Sequence, residues 1–337
     1  MFNKIIVFIA VVFSFSSICM ALDENHYDEQ YKQNVVPLLE SMHDGFFSGE
    51  KKVQIHYKTL LQSNARNCLV IFPGRSEPVE KYGEVVYDLA QTSAGKNLNF
   101  YLMDHRGQGS SGRMVSPNDI GYVDHFHNFV LDIESFIKVQ KLEKNCEKVF
   151  LLAHSLGAGI STAFILLHPT FFNKVALISP MLKILTKPYS YKVARAIVQS
   201  STMIGRGAKY AVGQKGFNPD AKFENNSVTT SLARFKMSTS IFETFPATEL
   251  GGVSNKFVLE VMKGTNKIRS RYHEISVPLR VFHAGLENYS VPSEMIKICD
   301  EAIYCERSFF ATSKHEILME RDEIRSEVIK SLGEFFN

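Results

Sequence analysis

The stretch Val149-Phe-Leu-Leu-Ala-His-Ser-Leu-Gly-Ala-Gly159 restricts what this chain can become more than any other. Val149 to Leu152 read as a short buried strand, and Gly157 and Gly159 let a helix start tightly against it. Ser155 falls at the turn between the two. That is the pattern of a nucleophile elbow, a sharp strand-to-helix turn that lifts a serine hydroxyl clear of a sheet. The same turn aims the backbone N–H of Leu156 and the helix N-terminus at the place where an oxyanion would form. Ala153 stands where a strict G-x-S-x-G has its first glycine, and alanine is the smallest replacement. The pentapeptide alone also suits an ordinary strand–turn–helix. The reading therefore depends on a base, an acid and a second oxyanion donor lying elsewhere in the chain.

The segments around it supply a suitable frame. Residues 44–61 read as a β-hairpin, with Val53, Ile55 and Tyr57 alternating against polar neighbours. Cys68 to Phe72 is a buried strand ended by Pro73-Gly74, Val79 to Gln91 is helical by spacing, and Leu98 to Met103 is a further strand. A glycine-rich loop, residues 104–112, follows, then a helix from Phe126 to Leu142. After the elbow helix comes a strand from Val175 to Ser179. The alternation resumes with a strand Leu279–His283, a helix Ser293–Glu301, a strand Arg307–Ala311 and a helix Ile324–Phe336. Strands alternating with helices of this length indicate a mostly parallel sheet with crossover helices, an α/β fold. Between the two runs, residues 181–275 show helical patterns with no βα rhythm, as an inserted lid would. Residues 181–274 carry 15 Lys plus Arg against 6 Asp plus Glu, a balance of +9 in a chain whose total is only +3. The overall balance gives no case for nucleic-acid binding. The basic lid, interleaved with apolar clusters, suits an anionic or zwitterionic lipid surface, or forms a solvated helical face.

The N-terminus reads as an export signal, residues 1–21. Lys4 precedes the apolar run Ile5 to Phe15, and Cys19-Met20-Ala21 offers small residues at positions −3 and −1 for cleavage after Ala21. Ile18 is too large for a lipoprotein signal at Cys19, and an uncleaved anchor over residues 5–22 is the competing reading. Either places the folded part outside the cytoplasm. There, Cys68, Cys146, Cys299 and Cys305 form an even set with three possible disulfide pairings, or four buried thiols.

Acyl transfer by serine requires a base, a group to orient it, and oxyanion donors. Of eleven histidines, only His315 combines a late position with a loop directly after a strand. The loop after the preceding strand contains a single carboxylate, Glu287, beside Asn288, which could hold the acid's place instead. Pro73-Gly74-Arg75 follows an earlier strand and can aim the Arg75 N–H inward, while the Arg75 side chain suits either a phosphate or the surface.

Taken together, Pro73 to Arg75, Asp104 to Gly109, Ala153 to Gly157 and Lys314 to Leu318 resemble the bacterial lysophospholipases of the monoacylglycerol-lipase-like α/β-hydrolases. The resemblance runs from about residue 30 to the end and is weakest in the lid. It implies an α/β-hydrolase fold: a mostly parallel central sheet with helices on both faces and a helical lid inserted between core strands. The core would comprise residues 22–180 and 276–337, with the lid at 181–275. It further implies no metal or cofactor and a lipid substrate, a lysophospholipid or monoacylglycerol. Ser155 would be the nucleophile, His315 the base, Glu287 the acid, and Leu156 and Arg75 the oxyanion donors. The segment before Val291-Pro292 is one residue longer than the family's pattern, which bears on Glu287. In that fold the strands at Cys68 and after Cys146 are parallel neighbours, which implies the pairs Cys68–Cys146 and Cys299–Cys305. A soluble-ester carboxylesterase or thioesterase is the alternative within the class, and a catalytically silent lipid-binding protein the alternative outside it.

Overall fold

The structure, a computed structural model, describes residues 22–337. The proposed signal segment, with its cleavage site at Ala21, lies outside the described residues. Eight strands form one sheet in the order β1-β2-β4-β3-β5-β6-β7-β8. They are β1 (His43–Ser48), β2 (Gln54–Leu60), β3 (Asn67–Phe72), β4 (Leu98–Met103), β5 (Val149–His154), β6 (Lys174–Ile178), β7 (Leu279–Ala284) and β8 (Cys305–Phe310). The hairpin β1–β2 joins β4 antiparallel, and β4, β3, β5, β6, β7 and β8 are parallel.

The period-2 alternation of strand side chains divides the interior into two layers. Val70, Phe72, Leu151, Val175, Leu177 and Val281 face one side, where they meet Phe129 and Ile133, Ile160 and Phe164, and Met295 and Ile298. Those side chains belong to helices His127–Gln140, Ser155–Leu167 and Pro292–Glu301. Leu69, Ile71, Phe150, Leu152, Ile178 and Phe282 face the other, against Val85 and Leu89 of helix Gly83–Gln91 and Val328 and Leu332 of helix Asp322–Phe335. Both faces of β4 and β5 are covered, so these strands are buried at every position and apolar apart from Asn99, whose side chain accepts from the Gln62 N–H, and His154. Strand β8 begins at Cys305, two residues before the sequence pattern suggested, because its ladder with β7 starts at Leu279↔Cys305.

Residues 181–275 do lie between β6 and β7, but they are not uniformly a lid. Phe257, Val261 and Ile268 of helix Asn255–Arg269 belong to the first core layer, so this helix is the crossover between two parallel strands. Met237 and Ile241 of helix Leu232–Thr244 join the second layer. Arg234 on the same helix is fully buried, 2.9 Å from Glu84 and 2.9 Å from Asp322. Its guanidinium also bonds the Leu22 carbonyl, and Tyr27 donates to Glu84. Arg325, buried beside it, pairs with Asp88 and Glu84. What remains as cap is helix Tyr191–Ser201 with the irregular chain after it, resting through Val198 on Leu259 and Met262.

Both implied disulfides are present, Cys68–Cys146 with Cα atoms 5.7 Å apart and Cys299–Cys305 at 5.0 Å. Their sequence separations of 78 and 6 differ greatly. Loop-closure entropy then assigns about 4 kcal/mol to the first and about 2 kcal/mol to the second. The double variant Cys68→Ala/Cys146→Ala should therefore lose about twice the stability of Cys299→Ala/Cys305→Ala in urea unfolding. Equal losses would show that the long loop is already restricted in the unfolded chain.

Candidate active site

Strand β5 stays extended through His154, and then Ser155 takes φ 47°, the left-handed region that side chains other than glycine rarely adopt. Helix Ser155–Leu167 starts there and drops immediately onto neighbouring backbone. A Cβ at Gly157 would lie 2.4 Å from the Pro73 carbonyl oxygen, and one at Gly159 would lie 2.6 Å from that of Met181. Glycine is required at both. Ala153, whose strand pairs with β3 at Phe72, is fully buried and fits without displacement.

Three side chains from three loops converge on this turn. His315 Nε2 is 2.8 Å from Ser155 Oγ, and His315 Nδ1 is 2.7 Å from Glu287 Oε2. The other Glu287 oxygen accepts the backbone N–H groups of Tyr289, at 2.7 Å, and Ser290, at 3.1 Å. Burial acts to raise the Glu287 pKa, but the bonds from His315 and from these two amides outweigh it and hold the carboxyl below its ordinary value. With the carboxylate accepting from Nδ1–H, the Nε2 lone pair faces the serine hydroxyl, the tautomer a general base requires. Asn288 is exposed, and its amide reaches only the Leu286 carbonyl at 3.4 Å. Glu287, and not its neighbour, is therefore the side chain bonded to His315.

The loop after β3 closes over the serine. A Cβ at Gly74 would stand 3.1 Å from the Ser155 Cβ. The Gly74 N–H is committed to Glu77, 2.6 Å away, while the Arg75 N–H has no partner among the described residues. Leu156 lies in the first helical turn, where no intrahelical carbonyl is available to its N–H. Both amides are thus left to donate outward, one in the loop that packs on Ser155 and the other in the residue after it.

Behind the site lies a buried group of charges that the sequence did not reveal. His154 Nδ1 is 2.7 Å from Glu77, and its Nε2 is 3.2 Å from the carbonyl of His315. Glu77 also accepts from Tyr82 and Lys81, and Lys81 pairs with Glu316 at 2.7 Å. Burial alone would raise Glu77 and lower His154. Their mutual attraction, helped by Lys81 at Glu77, wins in both cases, so Glu77 sits well below the ordinary carboxylate range and His154 above the ordinary imidazole value. A doubly protonated His154 donates to both partners and so fixes the backbone that carries His315. The only sequence clue was a histidine beside the nucleophile with a glutamate in the oxyanion loop.

The remaining candidates have other places. His105 is clasped between the rings of Phe72 and Phe129, and burial pushes its pKa down to about 3. His125 and His127 are exposed at the start of a helix, and His283 faces Arg307 and Phe309. Among the described residues one group has metal-ligand geometry, Asp44, His56 and Glu80, and the Lys58 ammonium already stands between its two carboxylates. A cavity of about 790 Å³ is lined by Phe126, Ala163 and Ile268 and holds none of the three convergent side chains. A smaller apolar one, about 420 Å³, is lined by Ile184, Pro188, Ile197, Val198 and Val258. It adjoins the acid loop, since Leu185 and Val291 exchange backbone bonds with Tyr289 and Lys183.

The sheet order, the elbow and the serine–histidine–carboxylate chain define an α/β-hydrolase. The chain belongs to the serine aminopeptidase, S33 family (Hydrolase_4), whose model matches residues 63–322. It is 27% identical to a probable lysophospholipase L2 of Haemophilus influenzae over 93% of this chain and 98% of that one. It is 26% identical to lysophospholipase L2 of Escherichia coli over 86% of each. A soluble variant of the monoglyceride lipase of Saccharomyces cerevisiae, solved with a substrate analog, has the same fold: TM-score 0.68, 14% identity, 88% of this chain and 94% of that one.

The Glu77–His154 pair makes stability depend on pH in two directions. The depressed Glu77 contributes above the unfolded carboxylate pKa of about 4.3 and loses its contribution as pH falls toward its folded value. The raised His154 contributes fully below about pH 6.5 and loses its contribution as pH rises through its folded value. Glu77→Gln should cost about 3 kcal/mol near pH 6, and the difference from the unsubstituted protein should shrink below about pH 4. Urea unfolding at pH 6 and pH 3.5 measures it, and a pH-independent difference would contradict the pairing.

Proposed function

We propose that this protein is an exported serine hydrolase that cleaves the acyl ester of lysophospholipids or monoacylglycerols. The observation that carries the reading is the chain Ser155 Oγ, His315 and Glu287, with links of 2.8 and 2.7 Å, beginning at a serine of positive φ. Ser155 Oγ attacks the ester carbonyl while His315 Nε2 takes its proton. The Leu156 and Arg75 N–H groups hold the oxyanion of the tetrahedral intermediate, each such donor contributing roughly 3 kcal/mol. His315 returns the proton to the departing glycerol oxygen, leaving an acyl ester on Ser155. Water, deprotonated by His315, then attacks that ester and releases the fatty acid. The relatives named as lysophospholipases support the substrate class, and we assign the acyl chain to the apolar cavity whose lining adjoins the acid loop.

Export is supported by Lys4 with the apolar run after it and by two disulfides in the folded part. We assign the cap to the lipid surface. Just after its helix, Met203 and Ile204 are 78% and 72% exposed, followed by the exposed Arg206 and Lys209. The +9 balance overstates this face, because Arg234 is wholly inside.

Ser155→Ala and His315→Ala should each lower ester hydrolysis roughly 10⁵-fold or more, with the double variant little worse than either. Labelling by a fluorophosphonate probe should disappear with Ser155→Ala. Substantial turnover by folded Ser155→Ala protein would rule out the mechanism, and absent labelling of the unsubstituted protein would favour a silent lipid-binding role. Glu287→Gln should lose far more activity than Asn288→Ala.

Met203→Glu/Ile204→Glu should reduce hydrolysis of lysolipid in anionic vesicles about tenfold while sparing a soluble butyrate ester. High salt should weaken only the vesicle reaction. Parallel losses on both substrates would make the cap an ordinary solvated surface.

A further inference from the structure

The Arg75 side chain differs from the chain's fully buried arginines. Arg106 is held by Asp132, Arg234 by Glu84 and Asp322, and Arg325 by Asp88 and Glu84. Arg75, partly buried at the oxyanion loop, has no carboxylate partner among the described residues. Its single side-chain bond runs from Nη1 to the Gly251 carbonyl in the lid, 2.7 Å away. The nearest acid in sequence, Glu77, is already taken by Gly74, Lys81, Tyr82 and His154. A cation taken partly out of water with only a neutral acceptor lacks the counter-charge that such a position calls for.

We propose that the Arg75 guanidinium binds the phosphate of a lysophospholipid and so makes the enzyme prefer that substrate over a monoacylglycerol. This rests on the functional reading above and deepens it. Arg75 offers two groups: an N–H with no partner among the described residues, in the loop that packs on Ser155, and a side chain that reaches the Gly251 carbonyl. Two residues further on, Val253 lines the apolar cavity beside the acid loop. The distance matches the substrate. In a lysophospholipid the phosphorus is six bonds from the ester carbonyl carbon, an extended span of roughly 7 Å, and an extended arginine reaches roughly as far from its own backbone. With the ester carbonyl at the Arg75 N–H, the phosphate comes within range of the same residue's guanidinium. Nη1 is used by Gly251, which leaves the other donors for phosphate oxygens, and a charge-assisted bond of this kind is about twice as strong as a neutral one. A monoacylglycerol presents only a hydroxyl there.

The competing explanation is a staple: Arg75 would serve only to hold the lid at Gly251, much as Arg113 bonds the Ala247 carbonyl nearby. The two explanations differ in which substrate suffers. The test measures kcat/KM for 1-palmitoyl lysophosphatidylcholine and 1-monopalmitoylglycerol with the mature protein, Arg75→Met and Arg75→Lys. Both substrates are given in the same neutral detergent micelles and phosphate-free buffer, so that the substrate carries the only phosphate. Arg75→Met should lower the ratio of the two constants, lysophospholipid over monoacylglycerol, about 10- to 100-fold, chiefly through KM. Arg75→Lys, which keeps the charge but not the fork, should fall between. An unchanged ratio, with both activities falling together or neither changing, overturns the proposal in favour of the staple. If the unsubstituted protein, reactive with a fluorophosphonate, hydrolyses neither lipid, the substrate reading fails first and the inference with it.

Discussion

The left-handed backbone at Ser155 is the constraint on which the rest of the site depends. A serine at φ 47° is unfavourable by itself and persists only where its surroundings leave no alternative. Here β5 is hydrogen-bonded on both sides, to β3 and β6, up to the residue before the turn. The helix beyond is pressed against the carbonyls of Phe72, Pro73 and Met181 at positions where only glycine fits. The close approach that requires Gly157 also brings the oxyanion loop against the serine. Strain, tight packing and donor placement are consequences of one contact between two adjacent strand ends.

Charge is distributed with the same economy. Glu77, His154, Lys81 and Glu316 lie directly behind the nucleophile and the base, and Glu84, Arg234, Asp88 and Arg325 lie under the second layer. Each group couples segments far apart in sequence, and each is nearly free of solvent, so breaking one pair leaves the other members uncompensated. The Arg75 guanidinium differs from these: among the described residues it bonds only the Gly251 carbonyl, and it belongs to the loop that packs on Ser155.

The readable parts of this molecule were those whose physics is local. Largely apolar runs announced β3, β4 and β5 because strands covered on both faces have few polar positions. Gly157 and Gly159 announced the elbow because close backbone approach excludes every other residue. The choice between Glu287 and Asn288 was not local. It is decided by the loop turning back so that the amides of Tyr289 and Ser290 reach Glu287, which directs the other oxygen to His315. The role of His154 depended on Glu77, 77 residues away, and on a carbonyl 161 residues away. The lid's charge misled for the same reason, since whether Arg234 faces water or Glu84 is a matter of tertiary packing.

The buried Arg234 cluster has a consequence for the order in which the chain can become functional. It brings together Leu22 and Tyr27, a helix from the middle of the chain, and Asp322 and Arg325 near its end. His315 stands beyond the last strand, at the edge of the sheet. The network is complete only when Asp322 and Arg325 of the final helix have arrived, and His315 lies just before that helix. A ribosome delivering this chain from its N-terminus releases Ser155 long before it releases His315. The linear order of the sequence thus keeps the nucleophile and its base apart until synthesis is nearly complete.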